Sequence, residues 1–146
     1  MIIDFENMEE KAVECFKGGV GITHLRKFEN QLGKIIMGKV EPGASIGLHC
    51  HDTNSEVIYV ISGTADFIYD PDDAAAAAGS DQNLQEKGDE AGLNAASSPI
   101  NDTNIAPAKY ETVTAGGCHY CPKGHSHSLV NNGSEDVVFF AVIPEQ

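Results

Sequence analysis

Two short segments hold histidines at fixed distances inside frames of glycine, and those frames leave few folds open to the chain. The first runs Gly43, five residues, His49, one residue, His51, four residues, Glu56, six residues, Gly63. The second runs Gly116, five residues, Pro122, one residue, Gly124, two residues, His127, three residues, Asn131. Successive side chains of a β-strand point to opposite faces, so residues two apart share a face. His49 and His51 therefore project the same way and Cys50, between them, the other way. The polar run Asp52-Thr53-Asn54-Ser55 predicts a turn, which brings Glu56 back beside the two histidines on the next strand. Pro42-Gly43, Ser62-Gly63 and Gly116-Gly117 mark further reversals. Pro122 fixes φ and Gly124 permits positive φ, so Cys121-Pro122-Lys123-Gly124 turns the chain into the segment bearing His127. Asn131-Asn132-Gly133 reads as another reversal.

The chain around these segments reads as strands. Ile35, Met37 and Val40 punctuate 33–40, and 57–61 is apolar on both faces, as befits a strand with the site on one side and packing on the other. Residues 65–69, 110–114 and 137–143 continue the β-branched and aromatic pattern. One segment, 8–16, predicts a short N-terminal helix, with Asn7 as its N-cap and Gly18-Gly19 as its stop. Short strands at regular turn spacing predict an all-β sandwich or barrel.

Neutral imidazole and carboxylate suit first-row divalent metals. By itself the His49–x–His51 pair is more often a pair of solvated or hydrogen-bonded strand histidines than a metal site. The two framed segments, however, resemble the signature motifs of the cupin family, matched at every defining position. That resemblance implies a jelly-roll barrel, a double-stranded β-helix with a ligand cavity between its sheets. It also implies one divalent ion per chain (Mn, Fe, Ni or Zn) held by His49, His51, Glu56 and His127. It covers roughly residues 18–144. Gly18-Gly19-Val20-Gly21 followed by Arg26 is similar to small single-domain bacterial cupins, which are described as mannose-6-phosphate-isomerase-like or oxalate-decarboxylase-like. The chain departs from many relatives in two places: Gly116-Gly117 stands where they have Gly-Asp, and an insertion replaces a short turn after 65–69.

The insertion spans about 70–108 and holds eight acidic residues against Lys87 alone, together with the run Ala74 to Ala78 and abundant Gly, Ser, Asn and Asp. Such a composition predicts a long solvated loop. The rest of the 146 residues reads as one domain, large enough to bury about two-thirds of its unfolded surface. The net charge of −13 repels phosphate backbones and anionic membranes, which argues against nucleic acid and membranes as partners. No 18-residue apolar run predicts a membrane span. Met1-Ile2-Ile3-Asp4-Phe5-Glu6 lacks the basic start of a signal peptide, so a cytoplasmic location with reduced cysteines is expected. Cys118-His119-Tyr120-Cys121 has CxxC spacing. In a strand its two thiols face opposite sides, which favours ordinary part-buried cysteines over a redox pair.

Arg26 is the single arginine, which disfavours a phosphosugar substrate, since phosphate recognition usually recruits arginine forks. Arg26 itself is expected in a surface or structural ion pair. His24, His119 and His125 remain as potential acid–base groups. Two functions follow from such a site. One is a metal-dependent enzyme (dioxygenase, isomerase or decarboxylase type) on a small polar organic molecule. The other is a non-catalytic cupin in which the metal binds a small ligand or stabilises the barrel. Val57, Tyr59 and Ile61 lie opposite the site face, and the resemblance implies a homodimer formed through the sheets.

Overall fold

A computed structural model of the chain describes residues 1–69 and 109–145; the expected insertion at 70–108 lies outside the described residues. The described chain forms ten strands: β1 Lys11–Glu14, β2 Ile22–Asn30, β3 Gly33–Val40, β4 Ser45–Cys50, β5 Glu56–Ser62, β6 Thr64–Tyr69, β7 Lys109–Thr114, β8 Cys118–Cys121, β9 Ser126–Val130 and β10 Val137–Pro144. They pair antiparallel into a six-stranded sheet, in the order β1-β2-β3-β10-β5-β8, and a four-stranded sheet, in the order β4-β9-β6-β7. This double sheet is the sandwich expected from the turn spacing and the jelly-roll that the resemblance implies. Among the described residues no helix is long and apolar enough to cross a membrane.

Strand parity builds the core. In β5, Glu56, Ile58 and Val60 are buried while Val57, Tyr59 and Ile61 stay exposed on the outer face. Ile36, Val40, Ile58, Val60, Val137, Phe139 and Ala141 of the larger sheet meet Ile46, Ala65, Phe67, Val113 and Leu129 of the smaller one in a single apolar cluster. β3 and β10 can lie flat together because Gly38 sits opposite Phe139. A Cβ at Gly38 would overlap the Phe139 ring, which covers that gap instead.

The N-terminal segment departs from expectation. In place of a helix over 8–16, Lys11–Glu14 is an edge strand, paired Lys11↔Leu25 to Glu14↔Ile22 with β2, and the only helical residues among those described are one 3₁₀ turn at Phe16–Gly18. Helix propensity is a weak prior that tertiary pairing overrides. The cap is also spent elsewhere: Asn7 does not cap a helix but is itself held by Asp4, whose carboxylate accepts from the Glu6 and Asn7 amides and from Asn7 Nδ2 at 3.1, 3.3 and 2.8 Å. Cys15 and Lys17 then take left-handed φ of 50° and 56°, which no α-helix accommodates.

Asn131 ties four strand ends together. Its Nδ2 donates to the carbonyls of Val40 and Glu135 at 2.9 and 2.8 Å, and its Oδ1 accepts from Gly133 N at 3.0 Å. Its backbone bonds to Gly43 and Ala44 lock the start of β4 to the end of β9. The residue is fully buried, so truncating it strands carbonyls in the interior. Asn131→Ala should lose roughly 2–4 kcal/mol of stability in urea denaturation; an unchanged midpoint would show that water replaces the amide at no cost.

Candidate metal centre

β4 and β9 create the site. Their register runs Ser45↔Val130 and Ile46↔Leu129, then slips before His49↔His127. The extra residue in β4 is a β-bulge at Gly47-Leu48. Without it, alternation from the buried Ile46 would turn Leu48 inward and His49 outward. With it, Leu48 is exposed and His49 enters the barrel directly across from His127. His51 follows two residues on with the same facing, and Cys50 points outward, its thiol donating to Asp52 Oδ1. The turn at 52–55 returns the chain so that Glu56 opens β5 beside both histidines.

The three imidazoles stand at the corners of a nearly equilateral triangle, with ring centroids 5.0, 4.9 and 4.9 Å apart. Glu56 Oε2 lies 3.1 Å from His51 Nε2 and 2.9 Å from His127 Nε2, and those two nitrogens are 3.1 Å apart. One donor atom from each of His49, His51, Glu56 and His127 falls within 4.8 Å of every other. His51, Glu56 and His127 are 7%, 6% and 1% exposed, so water does little to screen them.

The outer nitrogens show what the inner ones present. His49 Nδ1–H donates to the Gly47 carbonyl at 2.9 Å, and His51 Nδ1–H donates to Asn54 Oδ1 at 2.8 Å. In neutral imidazole one nitrogen donates and the other accepts, so both Nε2 atoms turn bare lone pairs inward. His51 Nε2 and His127 Nε2 face each other at 3.1 Å, and a carboxylate adds negative charge beside them. A divalent cation suits that donor set, and fixing the far nitrogen of a ligating histidine is how such sites set the tautomer. The bulge glycine thus serves twice, placing His49 and accepting its Nδ1–H hydrogen bond. His127 Nδ1 is buried without a hydrogen-bond partner; its ring is fixed by packing, nearly parallel to His119 at 5.2 Å and to Phe67 at 6.4 Å.

Electrostatics follow from the same contacts. Burial is the largest influence on Glu56 and pushes its carboxyl up, but His127 and His51 together overcome it and bring it down to about 2. Burial lowers His49, whereas the bond to Glu56 outweighs burial and raises His51. The four ligand candidates border a cavity of about 270 Å³ walled by Ile36, Ile46, Ile58, Leu129 and Phe139.

The other singled-out residues stand elsewhere. His24 bridges Glu10 and Glu41 at 3.0 and 2.7 Å, and Arg26 pairs with Glu10 at 3.2 Å. His125 is part-buried beside the Pro122–Gly124 turn, where its carbonyl accepts from His51 N. His119 lies behind His127, stacked on Phe67 at 4.1 Å with Nδ1 3.3 Å from Glu111 Oε2. Burial lowers its pKa. Cys118 is exposed and Cys121 buried, on opposite faces of β8 and both free. Burial raises both thiols, Cys121 to about 12, so neither is poised as a thiolate. Sequence reasoning missed the bulge, whose signal was Gly47 inside a strand, and the roles of Asn54 and Phe67.

The family model described as "Cupin" matches residues 22–146. The chain belongs to the cupin family. No curated protein shows significant sequence similarity to it. Among solved structures, a protein described as a predicted oxalate decarboxylase from Thermotoga maritima superposes with a TM-score of 0.71 at 20% identity, covering 100% of both chains. An uncharacterised Klebsiella pneumoniae protein with a double-stranded β-helix domain gives 0.60 at 16% identity, over 99% of this cupin and 89% of that chain. A single-residue variant of the B. subtilis oxalate decarboxylase gives 0.62 at 16% identity, over 98% of this cupin and 29% of that chain. At these identities the likeness concerns the fold.

Since Asn54 fixes His51, Asn54→Ala should weaken divalent-metal affinity by about 10–100-fold, measured by competition with a chromophoric chelator. Wild-type affinity would mean that packing alone orients His51.

Proposed function

We propose that this cupin binds one divalent metal ion per chain, Mn, Fe, Ni or Zn, through His49, His51, Glu56 and His127, and is a metal-dependent enzyme acting on a small polar organic molecule. The observation that carries the reading is the convergence of inward-facing imidazole nitrogens and one carboxylate at the wall of a cavity lined in part by aliphatic side chains. When bound, the ion supplies Lewis acidity or, as iron or manganese, redox chemistry of the dioxygenase, isomerase or decarboxylase kind. The chain supplies the rest. Gly47 and Asn54 hold two ligand tautomers, Phe67 and His119 hold the third ring by packing, and the aliphatic walls exclude water from the reacting face. One neighbour in structure is described as a predicted oxalate decarboxylase and another is an oxalate decarboxylase variant, which supports a small polar substrate.

A second reading, a non-catalytic cupin whose metal binds a small ligand or stabilises the barrel, is favoured by one observation. His119, an acid–base candidate close to the cluster, stands behind His127 and does not line the cavity. Turnover with retained metal separates the two readings. We read 1–146 as one cupin domain interrupted by the acidic segment at about 70–108, and the free cysteines fit a reducing, cytoplasmic setting.

Elemental analysis of untagged protein should find about one metal ion per chain. His49→Ala and His127→Ala should lose it while keeping a cooperative melt, and His24→Ala should keep it. Stoichiometric metal in both ligand variants would sink the assignment.

We also read the protein as a homodimer. Val57, Tyr59, Ile61 and Tyr120 are 37%, 44%, 42% and 56% exposed on the outer face of β5 and β8, and β8 is a sheet edge. An apolar face beside an open edge calls for cover, and two-fold pairing is the commonest arrangement of soluble oligomers. Sedimentation equilibrium should give twice the chain mass, and Tyr59→Glu should halve it. A monomeric wild type would contradict this reading.

A further inference from the structure

A second cavity, of about 540 Å³, adjoins the one at the candidate metal centre, and Lys17, Leu25, Lys34, Ile36 and Ile143 line both. Lys11 and Lys27 line the outer cavity as well. Four of the chain's nine basic residues therefore gather at one opening in a protein of net charge −13. Acidic neighbours only partly cancel them. Asp52 and Glu56 line the inner cavity and Glu9 the outer one, and Lys27 and Lys34 share Glu29 at 2.7 and 3.5 Å. Lys11 and Lys17 have no carboxylate within ion-pair distance among the described residues. The field of the whole molecule repels an anion, so lysines gathered beside Leu25, Ile36 and Ile143, where the two cavities meet, select for one.

The backbone is built to place Lys17 there. The turn at Phe16–Gly18 presses so closely on β4 that a Cβ at Gly19 would overlap the Ser45 carbonyl, and one at Gly47 the Lys17 carbonyl. Lys17 itself holds a left-handed φ of 56°, a conformation that non-glycine residues rarely adopt. Gly18 N donates to the Cys15 carbonyl at 2.9 Å and Gly19 N to the Phe16 carbonyl at 3.0 Å, which keeps the turn closed. Lysine stems lie along apolar surface while the ammonium reaches out, so Lys17 and Lys34 can meet a charge at the junction of the two cavities. Arg26, the residue suited to grip an oxyanion bidentately, is held by Glu10 instead.

We propose that the molecule accepted at this site is an organic anion with an apolar body. Its carboxylate sits at the junction between Lys17 and Lys34, and its aliphatic part lies against Leu25, Ile36 and Ile143. This rests on reading the inner cavity as the metal-bearing active site. It adds that the chain's own lysines recognise the charge, separately from any group bound at the histidines.

The test is isothermal titration calorimetry of the full chain with three six-carbon probes: hexanoate, hexanamide and hexylamine. Hexanoate should bind saturably and at least roughly tenfold more tightly than hexanamide, with hexylamine not binding, as expected for a charge pair in a partly dehydrated opening. Lys17→Gln and Lys34→Gln should each weaken hexanoate by about five- to tenfold and leave hexanamide unchanged. Lys39→Gln, outside both cavities and paired with Asp136 at 3.6 Å, should change nothing. Equal binding of hexanoate and hexanamide would overturn the proposal, as would unaltered hexanoate affinity in both lysine variants or the absence of saturable hexanoate binding. Metal content and the His127→Ala variant, followed in the same samples, separate the two readings. Lysine-dependent hexanoate binding by protein that never takes up metal would sink the metal site and keep this inference. Metal-loaded protein indifferent to the lysine changes would do the reverse.

Discussion

Everything at the candidate centre depends on one cross-strand pair, His49 opposite His127, and on the bulge that makes the pair face inward. Register in a sheet is unforgiving, because a slip of one residue exchanges the two faces. Here the slip is built in. Ile46 and Leu129 belong to the apolar core, and one extra residue later the same two strands present imidazoles to the interior. The smaller sheet can therefore be core at one end and ligand shell at the other, with no break in its pairing with β6, where Phe67 faces Leu129 and Tyr69 faces His127.

That geometry concentrates an electrostatic problem that the surrounding protein only partly resolves. Gly47 and Asn54 satisfy the outer nitrogens of two rings, and stacked aromatic packing holds the third. The inner nitrogens and the Glu56 carboxylate are left pointing at one another in a buried pocket. Without a cation, only protons on His51 and His127 can offset the Glu56 carboxylate, which those two histidines hold down at about 2. A divalent cation would meet all four donors at once, beside a cavity walled in part by Ile36, Ile46, Ile58, Leu129 and Phe139.

Much of this was legible in the sequence because the governing rules are local. Strand alternation places His49 and His51 on one face, the 52–55 turn returns Glu56, and the apolar runs mark β3, β5, β6, β7 and β10. What stayed hidden depends on distant partners. Alternation shows that His49 and His51 agree, but not that they face inward; the register with β9 and the bulge at Gly47 decide that. β1 reads as a helix until β2 is there to pair with it, and β2 itself is disguised by His24, Arg26, Lys27 and Glu29. The seat of Lys17 follows from backbone contact between a 3₁₀ turn and β4, which no residue pattern announces. The placing of His119 behind His127 likewise follows from β8 pairing with β5, since parity within Cys118–Cys121 alone cannot show which interior layer it reaches.

X-ray diffraction from metal-loaded crystals, collected at the absorption edge of the bound element, tests the four-ligand centre most directly. One anomalous peak per chain is expected inside the barrel, within about 2.0–2.2 Å of Nε2 of His49, His51 and His127 and of a Glu56 carboxylate oxygen. A peak at surface carboxylates or at Cys118 and Cys121, or none after saturation with Mn, Fe, Ni and Zn in turn, would contradict it.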